Sequence, residues 1–236
     1  MRLLLTNDDG IDAEGLAALR SACEPLFDEI WTVAPASQMS EIGHRVTTSS
    51  PLRYEERDTR TYAIHGTPAD CTRIALAHLM PEKPDWIFAG INHGGNLGRH
   101  DFVISGTVAA VREGAFAGIP GIAFSHFMKR GLPLDWPIAG ERCTRAFAAL
   151  SDDGNPGTNF SPGEFWTVNL PHNETEDKEP EVVFCPQERH PLLVSYEQIG
   201  DTEVQYVGDY HERPRRKGSD VDVCFGGDIA VSQASV

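Results

Sequence analysis

From Arg2 to Leu170 short apolar runs alternate with amphipathic stretches, and that alternation leaves few folds open to the chain. Arg2–Thr6, Glu29–Ala34 (stopped at Pro35), Thr61–His65, Trp86–Gly90, Gly121–Ser125 and Phe165–Leu170 read as strands. Helical signals lie between them. Asp12 is placed to cap a helix whose apolar face is Leu16, Leu19, Cys23 and Leu26. In GTPADC, Thr67 is an N-cap, Pro68 takes the first helical position, and Asp70 follows three residues after the cap. Cys71, Ile74, Ala75, His78 and Leu79 then trace one face. Ser105–Ala117 is a small-residue helix closed by Gly118, and Ile138–Leu150 is amphipathic. Strand-then-helix repetition implies right-handed crossovers and a parallel sheet with helices on both faces.

The expected class is therefore α/β: a three-layer, Rossmann-like, mostly parallel sheet with a β-rich C-terminal extension. Residues 1–170 form the α/β core. Residues 171–236 form an extension or oligomerisation arm that completes the same domain, with Gly226–Ser232 as its last strand. Within it, Glu174–Glu181 is acidic, and the basic Arg213–Lys217 reads as a solvated or subunit-contacting segment.

At 236 residues the chain suits one full-sized domain. Twenty Lys and Arg against 35 Asp and Glu give a formal charge of −15, a field that repels nucleic-acid polymers and anionic membranes. An anionic small substrate then needs a local cation. No apolar run approaches the roughly 18 residues of a membrane span. The N-terminal run is too short for a secretory leader and is interrupted by Asp8 and Asp9. The five cysteines are odd in number, widely spaced and free of CxxC pairs, which fits reduced, mostly buried thiols in a cytoplasmic protein.

In an open parallel sheet, ligands bind beyond the carboxyl ends of the strands. After the first strand stand Asn7, Asp8, Asp9 and Gly10; after the second, Ala34–Ser50 carries Ser37, Ser40, His44 and Thr47. GINHGGNLG follows Trp86–Gly90 and brings Asn92, His93, Asn96 and its glycines; Ser105, Gly106 and Thr107 open the next helix. Two ionised carboxylates about 4 Å apart repel by about 4 kcal/mol at an effective dielectric near 20, so a pair like Asp8 and Asp9 takes up a proton or a cation. With Ser40 and Asn92 the donors are all oxygen, which suits Mg²⁺ or Mn²⁺ and suits zinc poorly. The other reading of Asp8–Asp9–Gly10 is a polar turn capping the next helix.

GGNLG matches neither GxGxxG nor GK[ST], yet its glycines let backbone N–H groups approach an oxyanion, as does the helix start at Ser105. The plain alternative is a tight turn with an N-cap. His44, His93 and His100 share these loops, and His44 counts among the phosphate-binding candidates. No serine-hydrolase elbow accompanies them.

Together LLLTNDDGIDAEGLAAL, TVAPASQMSEIGHRVT, GTPADC, PDWIFAGINHGGNLG and ISGTVAAVREGAFAGIPGIAFS resemble the SurE family over about the first 125 residues, with WTVNLP a weaker echo. The resemblance implies a metal-dependent phosphomonoesterase acting on nucleoside 5′- and 3′-monophosphates and on short polyphosphate. It implies one Mg²⁺ or Mn²⁺ per subunit on Asp8, Asp9, Ser40 and Asn92, and a phosphate site at Asn96, Ser105, Gly106 and Thr107. Asp8, Asp9 and Asn96 are then the catalytic candidates, and a homodimer or homotetramer is expected. Ala36, Glu41 and Arg45 depart from the family's usual residues; Glu41 adds a negative charge beside the site. Two rivals remain: a catalytically inactive nucleotide- or metal-binding oligomer, and a phosphatase that forms an aspartyl-phosphate.

Overall fold

The computed structural model describes residues 1–150, 160–173 and 179–236. Most of the acidic Glu174–Glu181 run lies outside the described residues. Chain order is β1 (Arg2–Thr6), α1 (Glu14–Cys23), β2 (Glu29–Pro35), β3 (Tyr54–Asp58), β4 (Thr61–Ile64), α2 (Pro68–Ile74), β5 (Trp86–His93), α3 (Gly98–Ile104), α4 (Gly106–Phe116), β6 (Gly121–His126) and α5 (Trp136–Ala149). There follow β7 (Glu164–Leu170), β8 (Val182–Phe184), β9 (Tyr196–Gln198), β10 (Val204–Tyr206), α6 (Asp220–Phe225) and β11 (Ile229–Ser235). Nine strands make one sheet in the order β3-β4-β2-β1-β5-β6-β7-β11-β8, and β9 and β10 form a separate antiparallel hairpin.

The sheet is mostly parallel: β1 pairs with both β2 and β5, and β6 joins β5 to β7 in the same sense. Antiparallel partners sit toward its margins, β3 on β4 and β11 on β7. Residues after Pro171 thus supply β8 and β11 to the sheet that the first 170 residues begin.

Alternation along the strands divides the core. Leu3, Leu5, Trp86 and Phe88 face α1 and α5, packing with Leu16, Leu19, Cys143 and Phe147. Leu4, Val33, Ile64 and Ile87 face the other way, toward Cys71 and Ala75. Val108, Ala110 and Val111 of α4 pack on Ala89 and Ala123. Helices therefore cover both faces, as strand–helix repetition requires. Cys23, Cys71, Cys143 and Cys224 are buried and Cys185 is half-buried.

Local chemistry held at α2: Thr67 and Asp70 form a reciprocal capping box, with Pro68 in the first turn. It failed at α1. Ala13 is the N-cap without a side-chain bond, because the preceding turn is closed by Ala13 N–H donating to Gly10 O at 3.1 Å, and Asp12 is left exposed. The helix stops at Cys23, so Leu26 lies outside its face and is exposed. Beyond Ile74 the helix widens into a π-turn over Ala75–Leu79, and His78 is exposed against Tyr54 rather than continuing the buried face. The last strand begins at Ile229, because Ser219 caps the short α6 and the chain leaves it only at Gly226. β3, α3 and α6 carry weak periodicity and were not expected.

The chain runs from β1 outward to β2 and β4, then crosses to β5 on the other side of β1. The carboxyl ends of β1 and β5 therefore flank the point where the winding reverses, where open sheets open a ligand crevice.

Candidate active site

Asn7 builds the turn after β1. Its Nδ2 donates to Gly10 O at 2.8 Å and its Oδ1 accepts the Gly10 N–H at 3.2 Å, with Asn7 wholly buried. The turn separates the two carboxylates. Asp8 is buried and lines a cleft of about 700 Å³. Asp9 is half-buried and lines a second recess with Gln38, His93 and Trp136, where its Oδ2 accepts the His93 N–H at 3.0 Å.

The loop after β2 is fastened at several points. Met39 N–H donates to Asp8 O at 2.7 Å, Gly43 N–H to Ile104 O at 2.9 Å, and Thr47 donates its N–H and hydroxyl to Asp70, both at 2.8 Å. Thr67 donates its hydroxyl to Arg45 O at 2.6 Å. Ser40 and Glu41 are thereby held at the cleft, with Glu41 at a φ of 58°, a left-handed conformation uncommon outside glycine.

β5 supplies the next group. Its register against β6 shifts between Ala89 and Asn92. Gly90, at φ +131°, has no room for a Cβ, which would lie 2.3 Å from Phe124 O. Past this irregularity, Asn92 donates Nδ2 to Gly94 O at 2.7 Å, so its Oδ1 is the atom left free. Asn96 is buried and lines the cleft; its N–H donates to Asn169 Oδ1 at 2.8 Å and its Nδ2 to Ser125 Oγ at 2.8 Å. Ser125 and Asn169 each stand one residue before the end of β6 and β7, so four neighbouring strands contribute to one edge.

Ser105 caps α4, its Oγ accepting the Val108 N–H at 3.2 Å, and lines the cleft. Gly106 backs Asp8: a Cβ there would lie 2.9 Å from the Asp8 Cβ and 3.0 Å from Oδ2. Thr107 is buried and donates its hydroxyl to Asp8 Oδ1 at 2.5 Å, so it acts on the carboxylate rather than as a free phosphate ligand. His44 also departs from expectation. Its Nε2 meets Glu113 Oε2 at 2.7 Å, which ties the loop to α4 and takes the ring out of the cleft.

Burial pushes the Asp8 carboxyl up to about 6, the Thr107 hydrogen bonds oppose this, and the Asp9 charge adds to the rise. Among the described residues no Lys or Arg pairs with either carboxylate. The donors that could hold a metal are thus two carboxylates, one hydroxyl and one amide oxygen, and among the described residues no cluster of three His, Cys, Asp or Glu side chains competes. A hard divalent ion fits that set and would supply the countercharge that buried Asp8 lacks.

The family model for survival protein SurE matches residues 3–192. The chain belongs to the SurE family. Among its relatives, a putative 5′-nucleotidase of Synechocystis sp. is 47% identical over 236 residues, covering all of both chains. The 5′-nucleotidase SurE of Brucella canis is 46% identical over 182 residues, 75% of this chain and 68% of that protein. The crystal structure of the SurE protein from Aquifex aeolicus superposes with a TM-score of 0.85 at 28% identity, covering 100% of this chain and 93% of that one.

On this SurE fold the C-terminal residues support the site in ways the sequence reading missed. Arg213 is buried, donating Nη1 to Asp101 Oδ2 at 2.7 Å and Nη2 to Leu97 O at 2.9 Å, beneath the glycine-rich loop. Tyr210 donates its hydroxyl to Asp101 Oδ2 at 2.8 Å. Asp220 accepts the Gly98 N–H at 2.7 Å and the Glu188 N–H at 2.7 Å. The basic run is therefore partly interior. Asn169 could have been found, since it lies at the carboxyl edge of a strand next to the one that carries Ser125. Arg213 gave no such signal.

Proposed function

We propose that this protein is a metal-dependent phosphomonoesterase that releases phosphate from nucleoside 5′- and 3′-monophosphates and from short polyphosphate. One observation carries the reading: Asp8, Ser40 and Asn92 share a single cleft with Asn96 and the capped start of α4. Oxygen donors suited to a cation then lie beside neutral hydrogen-bonding groups and a positive helix end. The relatives' naming as 5′-nucleotidases supports the nucleotide as substrate.

In this reading Asp8, Asp9, Ser40 and Asn92 would hold one Mg²⁺ or Mn²⁺ per subunit. The chemistry such an ion supplies is Lewis-acid polarisation of the phosphoryl oxygen and of the attacking water. The protein's own groups do the rest. Ser105 and Gly95, both lining the cleft, offer a hydroxyl and a backbone N–H to the non-bridging oxygens. Asn96, clamped by Asn169 and Ser125, keeps its amide fixed while charge shifts. Thr107 holds Asp8 in one orientation. Asp8 or Asp9 would take the proton of the water as its oxygen bonds to phosphorus, and return it to the nucleoside oxygen that leaves as the ester P–O bond breaks.

We further propose residues 1–170 as the catalytic core and 171–236 as an arm of the same domain that also serves a homodimer or homotetramer. Exposed Leu193, Ile199 and Val204 around the β9–β10 hairpin support an apolar contact between subunits. Buried thiols support a reducing, cytoplasmic setting. No helix among the described residues is long and apolar enough to cross a membrane.

The test is phosphate release from a panel of nucleoside monophosphates in EDTA, then with Mg²⁺ or Mn²⁺ restored. Turnover that vanishes with chelation and returns with metal supports the reading. Turnover indifferent to chelation, or retained in Asp9→Asn with full metal dependence, removes the metal assignment.

A further inference from the structure

The cleft has a second half that the phosphoryl chemistry does not use. Leu192, Val194, Tyr196 and Tyr206 line it together with Asp8, Asn92 and Ser105. These four come from the β9–β10 hairpin and the segment leading into it, far in sequence from every candidate phosphate or metal group. No Lys or Arg is among the residues lining the cleft, and Glu41 and Asp101 are. A second anionic group on the substrate would find no permanent cation there, only His93 and His100. A flat, neutral ring would find apolar and aromatic surface.

We infer that Tyr196 and Tyr206 form a nucleobase-stacking subsite that makes this cleft selective for nucleoside monophosphates over other phosphate monoesters. The inference rests on the phosphomonoesterase reading for the phosphate end of the ligand, and names what the far end recognises. The two tyrosines are direct cross-strand partners in the hairpin. Their rings meet edge to face, with centroids 5.5 Å apart and planes at 74°, so they brace each other without covering both faces of either ring. Tyr196 remains 59% exposed and Tyr206 47%, which leaves ring surface for a third flat group. Tyr210 is different: its hydroxyl is committed to Asp101 and its ring lies under the Arg213 guanidinium, 4.8 Å from the centroid. The available stacking surface is therefore that of the hairpin pair.

Stacking suits the need. Every base has a π-face, so the interaction tolerates purines and pyrimidines alike, and one aromatic contact changes affinity by roughly 5- to 100-fold. A cleft of about 700 Å³ lies within the range that small-molecule ligands occupy.

The experiment has two arms. Adenosine, which has no phosphate, is titrated by calorimetry into the full chain, with ribose as control. In parallel, kcat/KM is measured for adenosine 5′-monophosphate and ribose 5-phosphate under identical metal conditions. Tyr206→Leu and Tyr196→Leu keep apolar bulk in the hairpin but remove the π-face. Each should weaken adenosine binding about tenfold and lower the nucleotide-to-ribose-phosphate ratio about tenfold, chiefly through KM, whereas Tyr206→Phe retains both. Three results overturn the inference: wild type binding adenosine no better than ribose, Leu variants that keep adenosine affinity and the ratio, or Leu variants that alter only the oligomer's mass. Silence on both phosphate esters would sink the phosphomonoesterase reading instead, and the adenosine titration would still decide the subsite.

Discussion

Thr107 donates its hydroxyl to Asp8 Oδ1 at 2.5 Å, joining the first turn of α4 to the end of β1 across 99 residues of sequence. Both side chains are buried, and burial is what lifts the Asp8 carboxyl to about 6. The bond works against that rise by favouring the ionised form. Replacing Thr107 with Val keeps the shape and removes the donor, at about 1.5–3 kcal/mol for a hydrogen bond to a charged group. The expected result is a fall of at least tenfold in kcat/KM and weaker Mn²⁺ binding by calorimetry, with Thr107→Ser restoring both. Unchanged metal affinity in Thr107→Val would show that the hydroxyl does not tune Asp8.

Gly106→Ala probes the same contact by bulk. Its Cβ would lie 2.9 Å from the Asp8 Cβ and 3.1 Å from Pro68 Cγ, so Asp8 or α4 must shift. Overpacking of this kind costs about 1–3 kcal/mol. Thermal unfolding should drop modestly while phosphate release falls far more steeply, because the displaced atoms belong to the site. Parallel losses in both would mean the glycine serves packing alone.

Arg213 predicts a stability effect larger than its position in a basic run suggests. Its side chain is 1% exposed and that of Asp101 is 8% exposed. Removing one partner of a buried pair costs about 3–5 kcal/mol because the other charge is stranded. Arg213→Met should therefore shift the urea midpoint strongly downward, and Arg213→Met with Asp101→Asn should recover part of the loss. A single variant within about 1 kcal/mol of wild type would show that the pair does not anchor the loop.

These contrasts mark what a one-dimensional reading reaches. The sheet was legible because buried parallel strands are near-continuous apolar runs, and Leu3–Leu5 and Trp86–Ala89 are buried on both faces. Asp8, Ser40, Asn92, Asn96 and Ser105 were legible because each leaves the sheet edge just past a strand or opens a helix. Thr107 and His44 belong to the same stretches, yet their partners, Asp8 and Glu113, were settled by packing over 99 and 69 residues. Arg213 looked solvated because composition reports charge without reporting the carboxylate 112 residues away that neutralises it. The hairpin escaped notice because three-residue strands are too short for any period to register.

His126 yields the pH prediction. It ends β6 with its ring buried, its Nδ1–H donates to Phe127 O at 2.8 Å, and the His172 ring stands 5.2 Å away. Burial lowers its pKa from 6.5 to about 4, with His172, Arg142 and His93 adding to the fall. The folded value lies below the unfolded one, so as pH drops the unfolded chain takes up the proton first. Stability from the neutral ring is present above about pH 6.5 and is lost progressively as pH falls toward 4; at pH 5 the loss is about 2 kcal/mol. Asp8, raised rather than lowered, works in the opposite sense over part of the same range, so the comparison must be between variants that share it. Urea unfolding of wild type and His126→Gln at pH 7.5 and pH 5 isolates the histidine: the stability advantage of wild type should shrink by about 2 kcal/mol at the lower pH. An advantage that stays constant would mean the ring titrates alike in both states, and that its burial in the folded chain does not exclude the proton.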